Sequence, residues 1–541
     1  MRRWCAEISC AAIASIVSLA GPAAAASDDL DAIEEAIESL HIPEARELVD
    51  DLAPEVESTP RARYLAGALL FHEGRYREAL AGLRSAIEGA RAELDWKLLR
   101  DRVALAEQSL GGLETTRGES GLFVFRHARG ADATLVSYAD RALASQAAEL
   151  EDALGDRPWR PLEVCLVPDV ETLSAASGLT EKQIERTGTV GVSKWGRIIA
   201  LTPRALAAGY PWLDTLAHEL THVVITRVSG DRAPIWLHEG IAKLYERRWR
   251  GEPAGDLTPE EAYLLDRAVR ERRLIPLRRF HPSVAALPNQ EDAALAYAQV
   301  LSFVRYLDSR LPERWSRDLL LALGRGETLE DAVADLSKFD LKRLYLWWKQ
   351  VVGGRRQTPV PAVGFQKRRF KRGAAAAPAA PESVLGLEER RHLRLGDLLR
   401  LRGHTAAAAT EFKRALALAE SPSPEIADRL AGCLLDLGEM EEVADMLGGM
   451  ADLYPSHSTV FVQLGKALAG LGRDEEAVAA LERANALNPF HPDVHCMLGD
   501  LYGSLGRDRD ARLEAESCRT LAAFAASDGA GEEPQQHNPS Q

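Results

Sequence analysis

His218-Glu219-Leu220-Thr221-His222 is the run of residues in this chain whose types and spacing best suit chemistry. On a helix, two histidines four residues apart stand one turn apart on one face. Two neutral imidazoles in that arrangement can grip one Zn2+ ion. Glu219 is adjacent but rotated, so it can reach a water at the metal without ligating the metal, which makes it the natural general base. Leu213, Leu216, Leu220 and Val224 mark the opposite, core-facing side of the same predicted helix, from about Pro211 to Arg227. A tetrahedral site needs a third protein ligand. A histidine six residues past His222 is excluded, because Val228 stands there. The next candidates lie in Pro234-Ile235-Trp236-Leu237-His238-Glu239-Gly240-Ile241-Ala242, which reads as a helix with proline in its first turn. Glu239 follows His222 by 17 residues, enough for a loop and a returning helix. His238 is its rival. Neighbours on a helix differ by about 100°, so only one of the two can face the metal.

Taken together, His218-Glu219-x-x-His222 and Trp236-Leu237-x-Glu239-Gly240-x-Ala242 resemble the gluzincin branch of zinc metallopeptidases, the peptidase MA-like group, over roughly residues 120–350. The resemblance implies a thermolysin-like zincin core that hydrolyses peptide bonds in a protein or peptide substrate. It implies His218, His222 and Glu239 as zinc ligands and Glu219 as the base. It also implies that Ile198–Leu201 is the sheet edge on which an extended peptide pairs. Ala296-Tyr297-Ala298-Gln299, with Phe303, Tyr306 and Leu307, resembles the helix that closes such domains. Tyr297 would there donate to the oxyanion, with simple helix packing as the alternative role. Many relatives carry an acid four residues after the glutamate ligand, where it supports a histidine. Here that residue is Lys243, so Asp214 or Glu246 has to serve. Lys243 also keeps open a second reading, a catalytically inactive peptidase-like scaffold in an envelope protein complex.

The elements that must position these residues form a mixed pattern over 119–352. Leu122–His127 alternates like a strand, 133–154 is an alanine-rich helix, and Leu162–Val167 is a strand closed by Pro168-Asp169. Ile198–Leu201 is a short apolar strand ending at Thr202-Pro203. Strand, helix, strand, strand, helix predicts an α+β domain.

The C-terminal third repeats every 34 residues, as Gly438, Gly472 and Gly506 show, and likewise Pro455 and Pro489. Leu464-Gly465 followed by Leu468, Ala477, Leu481, Ala484 and Pro489 resembles the tetratricopeptide (TPR) repeat, a helix–turn–helix unit. One unit cannot bury its own apolar face, so units stack into a solenoid. About four fit into 386–523, a surface suited to a protein partner. Gly67, Gly74, Ala79, Leu83 and Ala86 repeat the offsets of Gly465, Gly472, Ala477, Leu481 and Ala484, so 27–118 reads as a helical TPR-like module. The fold class is therefore multidomain and mainly α, with an α+β zincin-like domain between two helical regions.

Arg2-Arg3, the apolar stretch Ile8–Ala20, Pro22 and Ala24-Ala25-Ala26 have the layout of a signal peptide over 1–26. The stretch is too short to span a bilayer, and no later segment is apolar for long enough. Export to a periplasmic or extracellular space follows as an expectation. With 46% apolar and 27% charged residues the chain is globular in composition. A formal charge of −15 argues against a general nucleic-acid binder. Cys433 and Cys496 fall inside repeats, where each reads as a small buried hydrophobe. Residues 353–385 read as an unstructured linker, with Lys367-Arg368-Arg369-Phe370-Lys371-Arg372 as a solvated charge run, and 524–541 as a loose tail.

Overall fold

The computed structural model describes residues 22–38, 40–88, 94–156, 161–252, 255–281, 283–354, 365, 367–371, 386–419 and 422–529. It is mainly helical, with one small sheet in the middle of the chain. Residues 1–21, which hold most of the predicted signal peptide, lie outside the described residues, as do Arg372 and 530–541.

The sheet has five strands: β1 (Glu114–Arg117), β2 (Phe123–His127), β3 (Leu162–Val167), β4 (Gly191–Lys194) and β5 (Arg197–Leu201). Their spatial order is β1-β2-β3-β5-β4. β2, β3 and β5 are parallel, with Phe125 beside Val164 and Val164 beside Ile198. β1 and β4 close the sheet as antiparallel edges. Every residue of β3 and β5 is buried, as expected of strands covered on both faces. The expectation that Ile198–Leu201 is the edge is therefore corrected. β5 lies between β3 and β4, and β4 is the edge. β4 (Gly-Val-Ser-Lys) and β1 (Glu-Thr-Thr-Arg) carry almost no apolar pattern, because an edge strand need not bury two faces.

Two antiparallel helices, Pro60–His72 and Tyr76–Glu88, dock on this sheet, and their Phe71, Tyr76, Ala79 and Leu83 belong to the same hydrophobic core as β2, β3 and β5. The helices Pro22–Glu38 and Ile42–Asp50 add a small outer core around Leu30, Ile33 and Ala45.

Beyond the middle domain stand four helix pairs: Leu387–Leu401 with Thr405–Leu418, Pro424–Leu437 with Met440–Leu453, Ser458–Gly470 with Asp474–Leu487, and Pro492–Ser504 with Asp508–Gly529. They have cores of their own. Small residues let the paired helices approach: a Cβ on Gly465 would lie 2.6 Å from Leu481, and one on Gly396 2.5 Å from Phe412. Cys496 is bonded to Cys518 in the last pair, so it is a cross-link rather than a core hydrophobe, while Cys433 is free and buried. The last helix runs to Gly529, beyond the expected end of the repeats. The middle of the expected linker is also anchored, since Phe370 pairs with Leu206 in an isolated antiparallel bridge. Among the described residues no helix is long and apolar enough to cross a membrane.

Candidate metal centre

The helix Trp212–Ser229 carries His218, Glu219 and His222, and the helix Ile235–Tyr245 returns with Glu239. Leu216, Leu220, Val223 and Val224 are fully buried and fix the rotation of the first helix. Gln146 donates to Thr221 Oγ1 at 3.1 Å and to Tyr245 O at 3.2 Å, tying both helices to Leu135–Leu154. Gly240 admits the helix Gln290–Asp308, because a Cβ there would run into Val304.

Three side-chain atoms converge. His218 Nε2 and His222 Nε2 are 3.1 Å apart, and each is 3.3 Å from Glu239 Oε2. Zinc bonds of about 2.0–2.1 Å arranged tetrahedrally have edges of about 3.3 Å, so the triangle matches one face of such a site. His218, His222 and Glu239 form the one such cluster of His, Cys, Asp or Glu among the described residues. His238 does not join it. Its ring lies 5.6 Å from that of His222, and burial keeps it neutral, with its pKa pushed down to about 3.

Glu246 supports the cluster. His218 Nδ1 lies 3.2 Å from Glu246 Oε2, and donation there leaves the Nε2 lone pair pointing at the cluster. Lys243, which occupies the place of the expected acid, donates to Glu246 Oε1 at 2.7 Å and pairs with Glu261 at 3.1 Å. Burial alone would raise the Glu246 carboxyl, but Lys243 and His218 outweigh it and hold the pKa at about 2. Asp214, the other candidate support, is engaged elsewhere: it accepts from Trp249 Nε1 at 3.0 Å and from Arg250 at 3.1 Å. For His218 itself, burial opposes the charged form, yet the Glu239 and Glu246 carboxylates raise the pKa to about 10. Against burial, His222 and His218 hold the Glu239 carboxyl well below the usual carboxylate range. Such a pocket of buried carboxylates facing imidazoles suits a divalent cation, and its N2O donor set suits zinc.

Glu219 is buried beside edge strand β4. A Cβ on Gly191 would sit 3.0 Å from Glu219 Oε1, so glycine lets the carboxylate meet the strand. Burial raises the Glu219 carboxyl, partly offset by His222 and His218. Tyr297, on the helix Gln290–Asp308, sets its ring edge-on to His218 at 6.1 Å, and burial pushes its hydroxyl pKa well up. His218, Glu219, His222, Glu239 and Tyr297 all lie on helices, as the sequence pattern leads one to expect. That pattern left Glu246 undecided against Asp214, and it missed Gly191 as the β4 residue that meets Glu219. Glu246 follows Glu239 by seven residues, two turns on one face, which was the available signal.

Residues 141–354 match the family model of the Peptidase MA superfamily, so the middle of the chain is a peptidase MA domain. Residues 458–491 match the tetratricopeptide repeat model. Solved structures similar to part of the chain include a thermophilic TPR protein of Thermus thermophilus, at 26% identity over 26% of this chain and 83% of that one, with a TM-score of 0.23. Another is MamA, at 19% identity over 26% of this chain and 81% of that one, with a TM-score of 0.24. No curated protein matches the chain.

Proposed function

We propose that the protein is an exported zinc-dependent metallopeptidase whose TPR repeats recruit a protein partner or its substrate. One observation carries this reading: two imidazole nitrogens and a carboxylate oxygen lie at tetrahedral-edge distances, with Glu246 bracing the first imidazole from behind. Zinc held there would polarise the scissile carbonyl and lower the pKa of an attacking water from 15.7 to about 7. Glu219 takes one proton from that water and returns it to the departing amine. The C–N bond breaks, hydroxide ends on the carbonyl carbon and hydrogen on the nitrogen. The burial that raises the Glu219 carboxyl makes it a better proton acceptor. β4 is the terminal strand on which an extended peptide would pair, and Tyr297 stands beside His218 to donate to the developing oxyanion. Lys243 does not speak for an inactive scaffold, because it steadies Glu246 rather than removing the supporting acid. The Cys496–Cys518 disulfide suits an oxidising compartment and so supports export.

The test is cleavage of a mixed peptide library by residues 27–541 and by the Glu219→Ala variant. Cleavage by the first, slowed at least about 100-fold in the second with zinc content unchanged, is the expected result. Zinc-loaded protein that cuts nothing contradicts the reading.

A further inference from the structure

Residues 367–371 run past Gln290 and Gly188 and then along Ala205–Ala207. Arg368 N donates to Gln290 Oε1 at 2.8 Å, and Gln290 Nε2 donates back to Arg368 O at 3.2 Å and to Glu185 O at 2.9 Å. Arg368 Nη1 donates to Gly188 O at 2.7 Å. The segment continues along Ala205–Ala207, with Ala207 N on Arg369 O at 3.0 Å and Lys371 N on Ala205 O at 2.8 Å. Gln290 opens the helix that carries Tyr297, and Gly188 stands three residues before Gly191 of β4. Gln290 and Gly188 are themselves in contact, and Arg368 is fixed to both of them near the start of β4.

That position has a chemical meaning. A peptide added to β4 in the more stable antiparallel sense runs with its C-terminal half toward the start of β4. The charge agrees, since a guanidinium attracts a terminal carboxylate and repels a terminal ammonium. Gly191 marks the level of Glu219, and Gly188 is the left-handed cap of the helix Glu181–Thr187 three residues earlier; three residues reach at most about 10 Å, so Gly188 lies no more than about three residues beyond the scissile bond. A guanidinium has five N–H donors in a fork that fits a carboxylate, and the bond to Gly188 holds Arg368 in place with Nη1 alone. Its side chain is exposed, and Lys367, Arg369 and Lys371 add positive charge beside it.

We propose that Arg368 is a specificity-determining residue that binds the free C-terminal carboxylate of a peptide substrate, so that the site releases short C-terminal fragments of about two or three residues. This rests on the peptidase reading above. The deciding experiment is binding of one labelled octapeptide, as free acid and as C-terminal amide, to the zinc-loaded Glu219→Ala chain by fluorescence anisotropy. The free acid should bind about tenfold more tightly, and adding Arg368→Ala should erase that difference while leaving the amide unaffected. Arg368→Lys should retain part of it. Zinc content and melting temperature show whether the variant is intact. Equal binding of acid and amide, no binding of the acid, or a preference that survives Arg368→Ala overturns the proposal. With the unmutated chain, mass spectrometry should find C-terminal di- and tripeptides. Internal cuts at equal rates in acid and amide would overturn the role of Arg368 and leave the peptidase reading standing. Absence of all cleavage would count against the peptidase reading, while the binding comparison would still decide Arg368.

Discussion

The hairpin of Pro60–His72 and Tyr76–Glu88 and the hairpin of Ser458–Gly470 and Asp474–Leu487 are built alike and used differently. Gly67 meets Leu83 as Gly465 meets Leu481, and Gly74 and Gly472 turn the chain with φ of 75° and 70°. Around Gly472 there is open space. Around Gly74 there is a buried ionic network. Glu163 of β3 accepts from Tyr76 at 2.7 Å and from Arg126, Arg126 also donates to Gly74 O at 3.1 Å, and Arg197 donates to Tyr76 at 2.6 Å and to Phe71 O. The N-terminal hairpin shares the peptidase core, whereas the C-terminal repeats keep separate cores. They meet the peptidase domain through a few bonds, such as Tyr210 N on Leu487 O at 3.0 Å, Ser458 on Ala208 O at 3.2 Å and Tyr138 on Glu514 at 2.9 Å. A helix hairpin of the same build thus serves once as a brace for the sheet and once as one unit of a stacked array with its own core.

The largest effect that tests this contrast is at Glu163. Glu163→Ala leaves Arg126 and Arg197 buried without their carboxylate and should cost about 3–5 kcal/mol in denaturant unfolding of the full chain. A loss under about 1 kcal/mol, the value of an exposed pair, would break the contrast.

Acid should act on the two junctions in opposite directions. Burial works against the Glu163 charge, but Arg197 and Arg126 outweigh it and lower its pKa. That stabilisation is present above the unfolded value of 4.5 and is lost as pH falls through the lowered one. Asp132 sits in the turn Gly130–Thr134, where Gly130 meets Phe524 of the last repeat helix. Burial raises its pKa to about 6 from 3.8, against the pull of Arg204. Its protonated form is the one folding favours, so this contribution is full below pH 3.8 and lost as pH rises through about 6. Asp132→Asn should flatten stability between those values by about 2–3 kcal/mol. An unchanged pH profile would remove Asp132 from the account.

The difference between the two glycine turns is the most specific effect. Alanine at Gly74 or Gly472 incurs the left-handed backbone cost of about 1–2 kcal/mol. At Gly74 the new Cβ would also lie 2.7 Å from Glu163 Oε1, adding about 1–3 kcal/mol. Equal melting shifts for the two variants would mean that the two turns do not differ.

The parts legible in the sequence are those set by short-range periodicity. The histidine pair follows from helical spacing and the C-terminal repeat from its 34-residue period, while Glu239 rather than His238 came from the resemblance to the gluzincins. Ile198–Leu201 was legible as a strand but not as an inner one, because strand order is a long-range property. β1 and β4 carried too little apolar alternation to be seen. Glu246 and Asp214 both lie near the His218 helix, and only packing sends one to His218 and the other to Trp249 and Arg250. The anchoring of Arg368 depends on Gln290 and Gly188, which are 78 and 180 residues away in the chain.

Zinc content tests the central claim most directly. Protein purified without chelator should hold about one zinc per chain, as should His238→Ala, while Glu239→Ala and His222→Ala should lose most of it. Zinc that stays in Glu239→Ala and leaves in His238→Ala, or a chain that holds no zinc at all, would contradict the account.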